Sequence, residues 1–142
     1  MSSLRLSDQL CFPFYAITRE LQARYRPLLD PLGLTYPQYL VMLALWEHKQ
    51  DTVSGLARRL HLDPATLTPL LKRLEAAGLV ARTRDAADNR IVRITLTATG
   101  ETLEARAASV PHQLVAGLGG GELDVRALKS MLDTVLTLLE PA

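Results

Sequence analysis

The sequence predicts a mainly α-helical fold that carries one two-stranded β-hairpin, in a single domain of 142 residues. Three observations support this. Residues that start and stop helices recur through the first 78 positions, the apolar period becomes alternating between 79 and 97, and a helical period returns from 98 onward. A chain of this length can bury one core, which a second copy of the chain could share.

Two helices are predicted in the N-terminal third. Ser7 or Asp8 can cap a helix that continues to about Leu29, with Pro13 in its first turn or at a kink. Three residues then predict the end of this helix: Pro27, Pro31 and Gly33. The segment "TYPQ" at 35–38 has the Thr-x-x-Gln spacing of a capping box. It opens a second, mostly apolar helix that we expect to be buried.

Two shorter helices follow. The segment "TVSGLARRLHL" at 52–62 predicts the first, and "DPATLTPLLKRLEAAG" at 63–78 predicts the second. Asp63 is the expected N-cap of the second helix, Pro64 its first residue and Gly78 its C-terminal stop. A tight turn therefore joins the two helices.

Alternating residues predict a β-hairpin next. Apolar side chains alternate with arginine and threonine over 92–97, and "DAADNR" at 85–90 supplies a turn after "VARTR". Two long helices, over about 98–115 and 123–139, close the chain, joined by "GLGGGE". Two short helices followed by a basic hairpin have the order of a winged helix-turn-helix, in which the hairpin is the wing.

Charge is concentrated in this middle region. The whole chain carries +1, but the net charge is 0 over residues 1–51, +4 over 52–95 and −3 over 96–142. A locally basic surface suits a nucleic-acid partner, and the small total excess argues against a non-specific architectural DNA binder. No apolar run is long enough to span a membrane and no secretory signal is apparent, so we expect a soluble, cytoplasmic protein.

Candidate DNA contacts lie on the fourth helix and on the hairpin. Leucines at i, i+3, i+4 and i+7 from Leu67 form an apolar face, which leaves the small, hydroxyl and basic side chains on the other surfaces. The candidates are Ala65, Thr66, Thr68, Pro69, Lys72 and Arg73 on the helix and Arg82, Arg84, Asp88 and Arg90 on the hairpin. Asp88 either pairs with a neighbouring arginine or is simply a turn residue. For any single Lys or Arg a solvated side chain is the more common role, and it is the combination of these residues that favours DNA contacts.

The chain has one cysteine, Cys11, and all seven aromatic residues lie in the same N-terminal third. A free cysteine is often only a small buried hydrophobe, whereas a place in the first turn of a helix favours a reactive thiolate. Tyr15 follows one turn later, but Tyr25 lies about 21 Å further along a continuous helix and cannot reach its own Cys11. In a symmetric dimer with antiparallel first helices, Tyr25 of one chain could approach Cys11 of the other, and Tyr36 could join it.

The segment from 62 to 100, "LDPATLTPLLKRLEAAGLVARTRDAADNRIVRITLTATG", resembles the DNA-binding region of the MarR family of bacterial winged-helix regulators. The resemblance includes the wing pattern Asp-x-Arg at 88–90 and the Leu-Thr-x-x-Gly that follows. "LCFPFYAITREL" and "LTYPQYLVMLALWE" are in addition similar to the N-terminal part of one branch, the organic hydroperoxide resistance regulators (OhrR). The lack of a second cysteine indicates the one-cysteine type of this branch.

This resemblance implies dimerisation helices over 1–34 and 98–142 and a winged helix-turn-helix over 35–97. It implies a homodimer that represses transcription from a pseudo-palindromic DNA operator, until an organic hydroperoxide oxidises the cysteine. The redox-sensing residues would be Cys11 and Tyr15, with Tyr25 and Tyr36 of the partner subunit bonding the thiol. Without a resolving cysteine, a small-molecule thiol or a protein thiol must cap the oxidised sulfur.

Two further functions compete with this one. Cys11 could serve a thiol peroxidase, although such an enzyme needs a recycling thiol and the sequence offers little basic support near the cysteine. A regulator of the same family could instead be released by a phenolic or other small aromatic ligand, with Cys11 merely structural. The three histidines are scattered, and no metal or cofactor is expected.

Overall fold

The first long helix begins at Phe12 in the computed structural model, which describes residues 3–119 and 121–141. This helix, α1, spans Phe12–Leu29, with Cys11 at its N-cap. The expected start at Ser7 or Asp8 was wrong, because Leu6–Asp8 forms a separate 3₁₀ turn. Pro13 lies in the first turn of α1, where the missing N–H costs no helical hydrogen bond and the ring prevents the helix from extending backwards.

Helix α1 continues past Pro27 and ends at Leu29. Pro27 lies inside the helix, so the expectation that it helps to end the helix was wrong. A 3₁₀ turn over Asp30–Leu32 follows α1, and Gly33 adopts the left-handed conformation with φ +70°. The change in chain direction therefore comes at Gly33, where the lack of a side chain permits the left-handed conformation.

The predicted capping box is confirmed and opens α2, which spans Tyr36–His48. The Thr35 hydroxyl accepts a hydrogen bond from the Gln38 backbone at 3.3 Å, and the Gln38 side chain accepts one from the Thr35 backbone at 3.0 Å. As expected, α2 is largely buried, with Tyr39, Val41 and Leu45 almost fully covered. Helix α2 therefore runs through the main hydrophobic core.

Both short helices of the middle region are confirmed. Helix α3 spans Val53–Arg59 and α4 spans Pro64–Ala76. Asp63 caps α4 by accepting a hydrogen bond from the Thr66 N–H at 2.9 Å, and Gly78 follows the helix with φ +76°. The apolar face of α4 is buried in the same cluster as residues of α2 and α3. Its members are the predicted leucines Leu67, Leu70, Leu71 and Leu74.

The wing belongs to a three-stranded antiparallel sheet rather than to a two-stranded hairpin alone. Strands β2 (Val80–Arg84) and β3 (Val92–Leu96) form the predicted hairpin, in which Arg82 is opposite Ile94. The additional strand β1, Gln50–Thr52, pairs with the other edge of β3 and gives the order β1-β3-β2. This strand was missed because three polar residues show no alternation of apolar side chains.

The C-terminal part contains three helices where two were predicted. They are α5 (Ala98–Ala107), α6 (Val110–Ala116) and α7 (Val125–Leu139). The helix expected over 98–115 is interrupted because Pro111 cannot donate a backbone hydrogen bond and disfavours helical geometry at the residue before it. The described residues form two compact units that divide between Val110 and Pro111.

Candidate functional site

Helix α4 presents a polar surface of small, hydroxyl and basic side chains. The exposed members are the predicted residues Ala65, Thr66, Pro69, Lys72 and Arg73. Thr68 is half-buried, and its hydroxyl donates to the Pro64 carbonyl at 2.8 Å. Since the leucine face of the helix is buried, these side chains are the ones that α4 offers to a partner.

The tip of the hairpin is organised by an ion pair between Asp88 and Arg90. The Arg90 guanidinium donates two hydrogen bonds to the Asp88 carboxylate, each 3.1 Å long, while its side chain stays 90% exposed. The Arg90 backbone N–H donates a third bond to the same carboxylate at 3.0 Å. These bonds lower the pKa of Asp88 and raise that of Arg90. Of the two alternatives for Asp88, the pairing with an arginine is therefore the one observed.

Asp85 holds the base of the same turn, although the sequence did not single it out. Its carboxylate accepts hydrogen bonds from the backbone of Ala87 at 2.8 Å and of Asp88 at 3.2 Å. Its other oxygen accepts two bonds from the Arg93 guanidinium, at 3.0 and 3.1 Å. The Ala87 N–H bond, followed by the Arg93 bond, lowers the pKa of Asp85. The "D-x-x-D-x-R" spacing over 85–90 was the sequence feature from which a role of Asp85 in the turn could have been predicted.

Two more predicted arginines lie on β2 but differ in what they contact. Arg84 donates to the Asn89 carbonyl at 2.8 Å, so part of its hydrogen-bonding capacity is used within the hairpin. Arg82 lines a cavity of about 310 Å³ that also includes Thr68 of α4 and Arg90. Thr52 and Ser54, near the start of α3, line this cavity as well and were missed by the sequence prediction. The structure thus brings residues of α3, α4 and the hairpin together.

Cys11 is exposed and lies at the N-cap of α1. Tyr15, one turn later, is also exposed, and the guanidinium carbon of Arg19 lies 5.8 Å from the centre of its ring. Tyr25 lies on the same continuous helix, about 21 Å further along its axis. The thiol and Tyr25 of one chain are therefore kept apart.

Tyr25 and Tyr36, in contrast, lie together. Their ring centres are 4.6 Å apart, although Tyr25 belongs to α1 and Tyr36 is the first residue of α2. Burial, aided by the neighbouring phenols of Tyr36 and Tyr39, raises the pKa of Tyr25 to about 12. Burial also raises the pKa of Tyr36. Both phenols are protonated hydrogen-bond donors at neutral pH, as an ordinary tyrosine also is, and the raised pKa extends this state to higher pH.

The two hydroxyls are available to an outside partner. Within residues 3–119 and 121–141, no hydrogen bond engages the hydroxyl of either Tyr25 or Tyr36. The two rings border a surface cavity of about 200 Å³ that is also lined by Gln22 and Arg26. A pair of unengaged phenol donors beside an open cavity is suited to binding an anionic or polar atom.

Neither a metal centre nor a membrane segment occurs among the described residues. No group of three or more His, Cys, Asp or Glu side chains in that part of the chain is arranged to hold a metal ion. In the same part, every helix is too short or too polar to cross a bilayer.

Comparison with known proteins identifies the family. The model of the MarR family matches residues 34–92, which extend from the start of α2 into the hairpin. The organic hydroperoxide resistance transcriptional regulator of Bacillus subtilis is 45% identical over 136 residues, covering 96% of this chain and 92% of the relative. The chain belongs to the MarR family. It is a transcriptional regulator of MarR type, and its relatives are regulators rather than enzymes, which argues against a thiol peroxidase.

Solved structures of another MarR-family regulator, AbfR of Staphylococcus epidermidis, are also similar. Reduced AbfR bound to DNA has a TM-score of 0.78 at 36% identity and covers 96% of both chains. Overoxidised AbfR bound to DNA has a TM-score of 0.76 at 35% identity, over 96% of this chain and 98% of that one. Disulfide-formed AbfR has a TM-score of 0.70 at 36% identity, over 96% and 94%.

Proposed function

We propose that this MarR-family protein is a DNA-binding repressor that senses organic hydroperoxides by oxidation of Cys11 and then releases its operator. The observation that carries the proposal is the pairing of Tyr25 with Tyr36, whose hydroxyls are unengaged while the chain's one thiol is exposed at the far end of α1. The similarity to a hydroperoxide resistance regulator and to AbfR supports it. We expect the protein to act in the cytoplasm, alongside the DNA that it would bind.

DNA binding is proposed for α4 and the hairpin. The exposed side chains of Thr66, Lys72 and Arg73 would face the major groove or its phosphates, since the leucine face of α4 is turned into the core. Arg90, held by Asp88 at the tip, would enter the adjacent minor groove. The ion pair supports this role because it restricts the arginine side chain before DNA is bound, which lowers the entropy cost of binding.

A homodimer is proposed because each compact unit exposes large apolar side chains. Most of those in the N-terminal unit precede or belong to α1, and most of those in the C-terminal unit belong to α7. They include Leu6, Leu10, Phe14 and Ile17 in the first unit and Leu128, Met131, Leu132, Val135 and Leu136 in the second. Exposed apolar surface of this extent is typical of a subunit interface. A two-fold dimer would bind a pseudo-palindromic operator with half-sites about one helical turn apart.

In this dimer, the Cys11 thiolate of one chain would accept hydrogen bonds from Tyr25 and Tyr36 of its partner. On oxidation, the sulfur attacks the terminal oxygen of the hydroperoxide, the O–O bond breaks and an alcohol leaves after taking up a proton. The sulfur, oxidised by two electrons, then carries a sulfenic acid. A small-molecule thiol attacks this sulfur, water leaves, and a mixed disulfide remains. The sulfur of this bulky adduct carries no negative charge and can no longer accept the two phenol bonds.

The loss of these bonds is proposed to release DNA by altering the spacing of the two α4 helices in the dimer. Recognition helices must fit successive major grooves, so a small change in their separation is sufficient to abolish tight binding. Overoxidised AbfR has been solved bound to DNA, so overoxidation is not the form to which we assign release. A disulfide within one chain is also ruled out, because this chain has a single cysteine. We therefore assign release to the mixed disulfide.

The test is DNA affinity, measured by fluorescence anisotropy on a duplex from beside the protein's own gene. One equivalent of cumene hydroperoxide is added with free cysteine as the small thiol, to wild type and to Cys11→Ser. We expect wild type to be released and Cys11→Ser to stay bound. If Cys11→Ser is released as readily as wild type, the redox mechanism is wrong. Release of both proteins by a phenolic compound alone would instead favour a ligand-responsive regulator.

A further inference from the structure

We propose that Tyr39 is a positioning residue for the thiol sensor: its buried ring holds those of Tyr25 and Tyr36 side by side, so that both hydroxyls can reach one sulfur atom. This inference rests on the proposed function, because it concerns the site at which the partner's Cys11 would bind. Tyr39 would not touch the sulfur. It would act only through the two rings that it supports.

The three rings form one cluster. The centre of the Tyr39 ring lies 5.8 Å from that of Tyr25 and 6.3 Å from that of Tyr36, with interplanar angles of 46° and 42°. These distances fall within the range of favourable aromatic contacts. Tyr39 is only 1% exposed, whereas Tyr25 and Tyr36 are half-buried. Tyr39 is thus the internal member of the cluster, and the other two form its outer edge.

Tyr25 and Tyr36 need such support because no single element fixes them both. Tyr25 lies on α1, and Tyr36 is the first residue of α2. Tyr39 lies one turn inside α2, on the same side of the helix as Tyr36, and it reaches across to α1. A rigid ring at this position therefore fixes the two outer rings relative to each other.

Burial of the cluster has a chemical consequence that agrees with this role. The pKa values of all three phenols are raised by burial, that of Tyr25 to about 12. An ordinary phenol, with a pKa near 10, is already protonated at neutral pH, so the shift widens the pH range over which each hydroxyl can donate a hydrogen bond to a thiolate.

Replacement of the ring by a smaller, flexible side chain would leave Tyr25 and Tyr36 free to rotate. A misplacement of about 1 Å in a reacting site can cost on the order of a hundredfold in rate. Tyr39→Leu should therefore slow the oxidation of Cys11 by roughly ten- to a hundredfold. Tyr39→Phe keeps the ring and should react at the wild-type rate. A role in core stability alone predicts no such difference in rate between folded variants.

The experiment measures the second-order rate constant for loss of the Cys11 thiol on mixing the dimeric protein with cumene hydroperoxide. The variants are Tyr39→Leu, Tyr39→Phe and, as a destabilised control, Leu45→Ala, whose site is fully buried in α2 about 9 Å further along the helix. Thermal unfolding confirms that each variant is folded at the assay temperature. If Tyr39→Leu does not fold, Tyr39→Met takes its place, since methionine fills irregular space but lacks the rigid ring.

Slow oxidation in Tyr39→Leu, with wild-type rates in Tyr39→Phe and Leu45→Ala, supports the proposal. A wild-type rate in Tyr39→Leu, or an equal loss in Leu45→Ala, overturns it. If wild-type Cys11 itself does not react with the hydroperoxide, the proposed function fails. If wild-type Cys11 does react and Tyr39→Leu reacts at the same rate, the positioning role alone is wrong.

Discussion

Substitution of Gly100 by alanine tests how the base of the wing is built. Gly100 lies in the first turn of α5, and a Cβ atom there would collide with the backbone carbonyl oxygen of Leu79. That oxygen cannot move freely because it accepts a hydrogen bond from the Thr97 N–H at 3.1 Å. The Gly100 carbonyl in turn accepts a buried bond from the Trp46 indole at 2.9 Å. The residue is thus fixed by three parts of the chain.

Gly100→Ala is expected to lower the free energy of unfolding, which is unusual for replacement of a glycine within a helix. Alanine normally stabilises a helix by about 1 kcal/mol relative to glycine. Here overpacking should cost about 1 to 3 kcal/mol, and displacement of the Leu79 carbonyl should cost about 1 kcal/mol more. We therefore expect a net loss of roughly 1 to 3 kcal/mol in the free energy of unfolding.

Guanidinium chloride unfolding, followed by circular dichroism and by fluorescence of the chain's one tryptophan, measures this loss. Thr99→Ala is the matched control, because Thr99 is an exposed neighbour in the same turn of α5 and its replacement should change stability by less than about 0.5 kcal/mol. A Gly100→Ala protein that is as stable as wild type, or more stable, would refute the packing described for Leu79.

Three further predictions concern titration and DNA binding. Because the pKa of Tyr25 is raised to about 12 from its ordinary value near 10, the proton is held more tightly in the folded protein, so its contribution to stability is present below pH 10 and lost as the pH rises towards 12. The full shift corresponds to about 2.7 kcal/mol, which partial solvent exposure reduces to roughly 1 kcal/mol. The free energy of unfolding, measured in urea, should therefore fall more steeply between pH 10 and 12 in wild type than in Tyr25→Phe. Arg90→Ala should weaken operator binding strongly, and Lys72→Ala should lower the slope of log affinity against log salt by about one, whereas Lys129→Ala on α7 should leave both unchanged in anisotropy titrations. Asp85→Ala should speed hydrogen exchange in the hairpin turn and weaken DNA binding, with little effect on the free energy of global unfolding. Exchange protection equal to that of wild type would show that the bonds to Asp85 do not stabilise the turn.

The sequence predicted those parts of the fold that depend on short-range chemistry. The capping box at Thr35, the N-cap at Asp63 and the left-handed stop at Gly78 each require a particular residue at a particular spacing, and all three are present. Strand β1 was missed because its pairing depends on β3, more than forty residues away in the chain. The effect of Pro27 was misjudged because α1 continues for two residues beyond it, to Leu29.

The candidate site was predictable residue by residue but not in its arrangement. The sequence indicated Tyr25 and Tyr36 as partners, and their rings do lie together. It gave no sign that Tyr39 completes the cluster, since a tyrosine in an apolar helix is indistinguishable by pattern from ordinary core. The bracing of the hairpin by Asp85 was also missed, because its contacts to Arg93 depend on the folded turn.

Helix α2 connects the tyrosine cluster at its first turn to the base of the wing at its last turn. Its first turn carries Tyr36, and its last turn carries Trp46, about 15 Å away along the axis. Trp46 bonds to Gly100, only four residues beyond the end of wing strand β3. The described part of α2 contains neither glycine nor an internal proline after its first turn, so it has no hinge at which a rotation could be absorbed. In the proposed mechanism, a tilt of α2 imposed at Tyr36 would therefore be transmitted to the base of the wing, without a flexible loop in between.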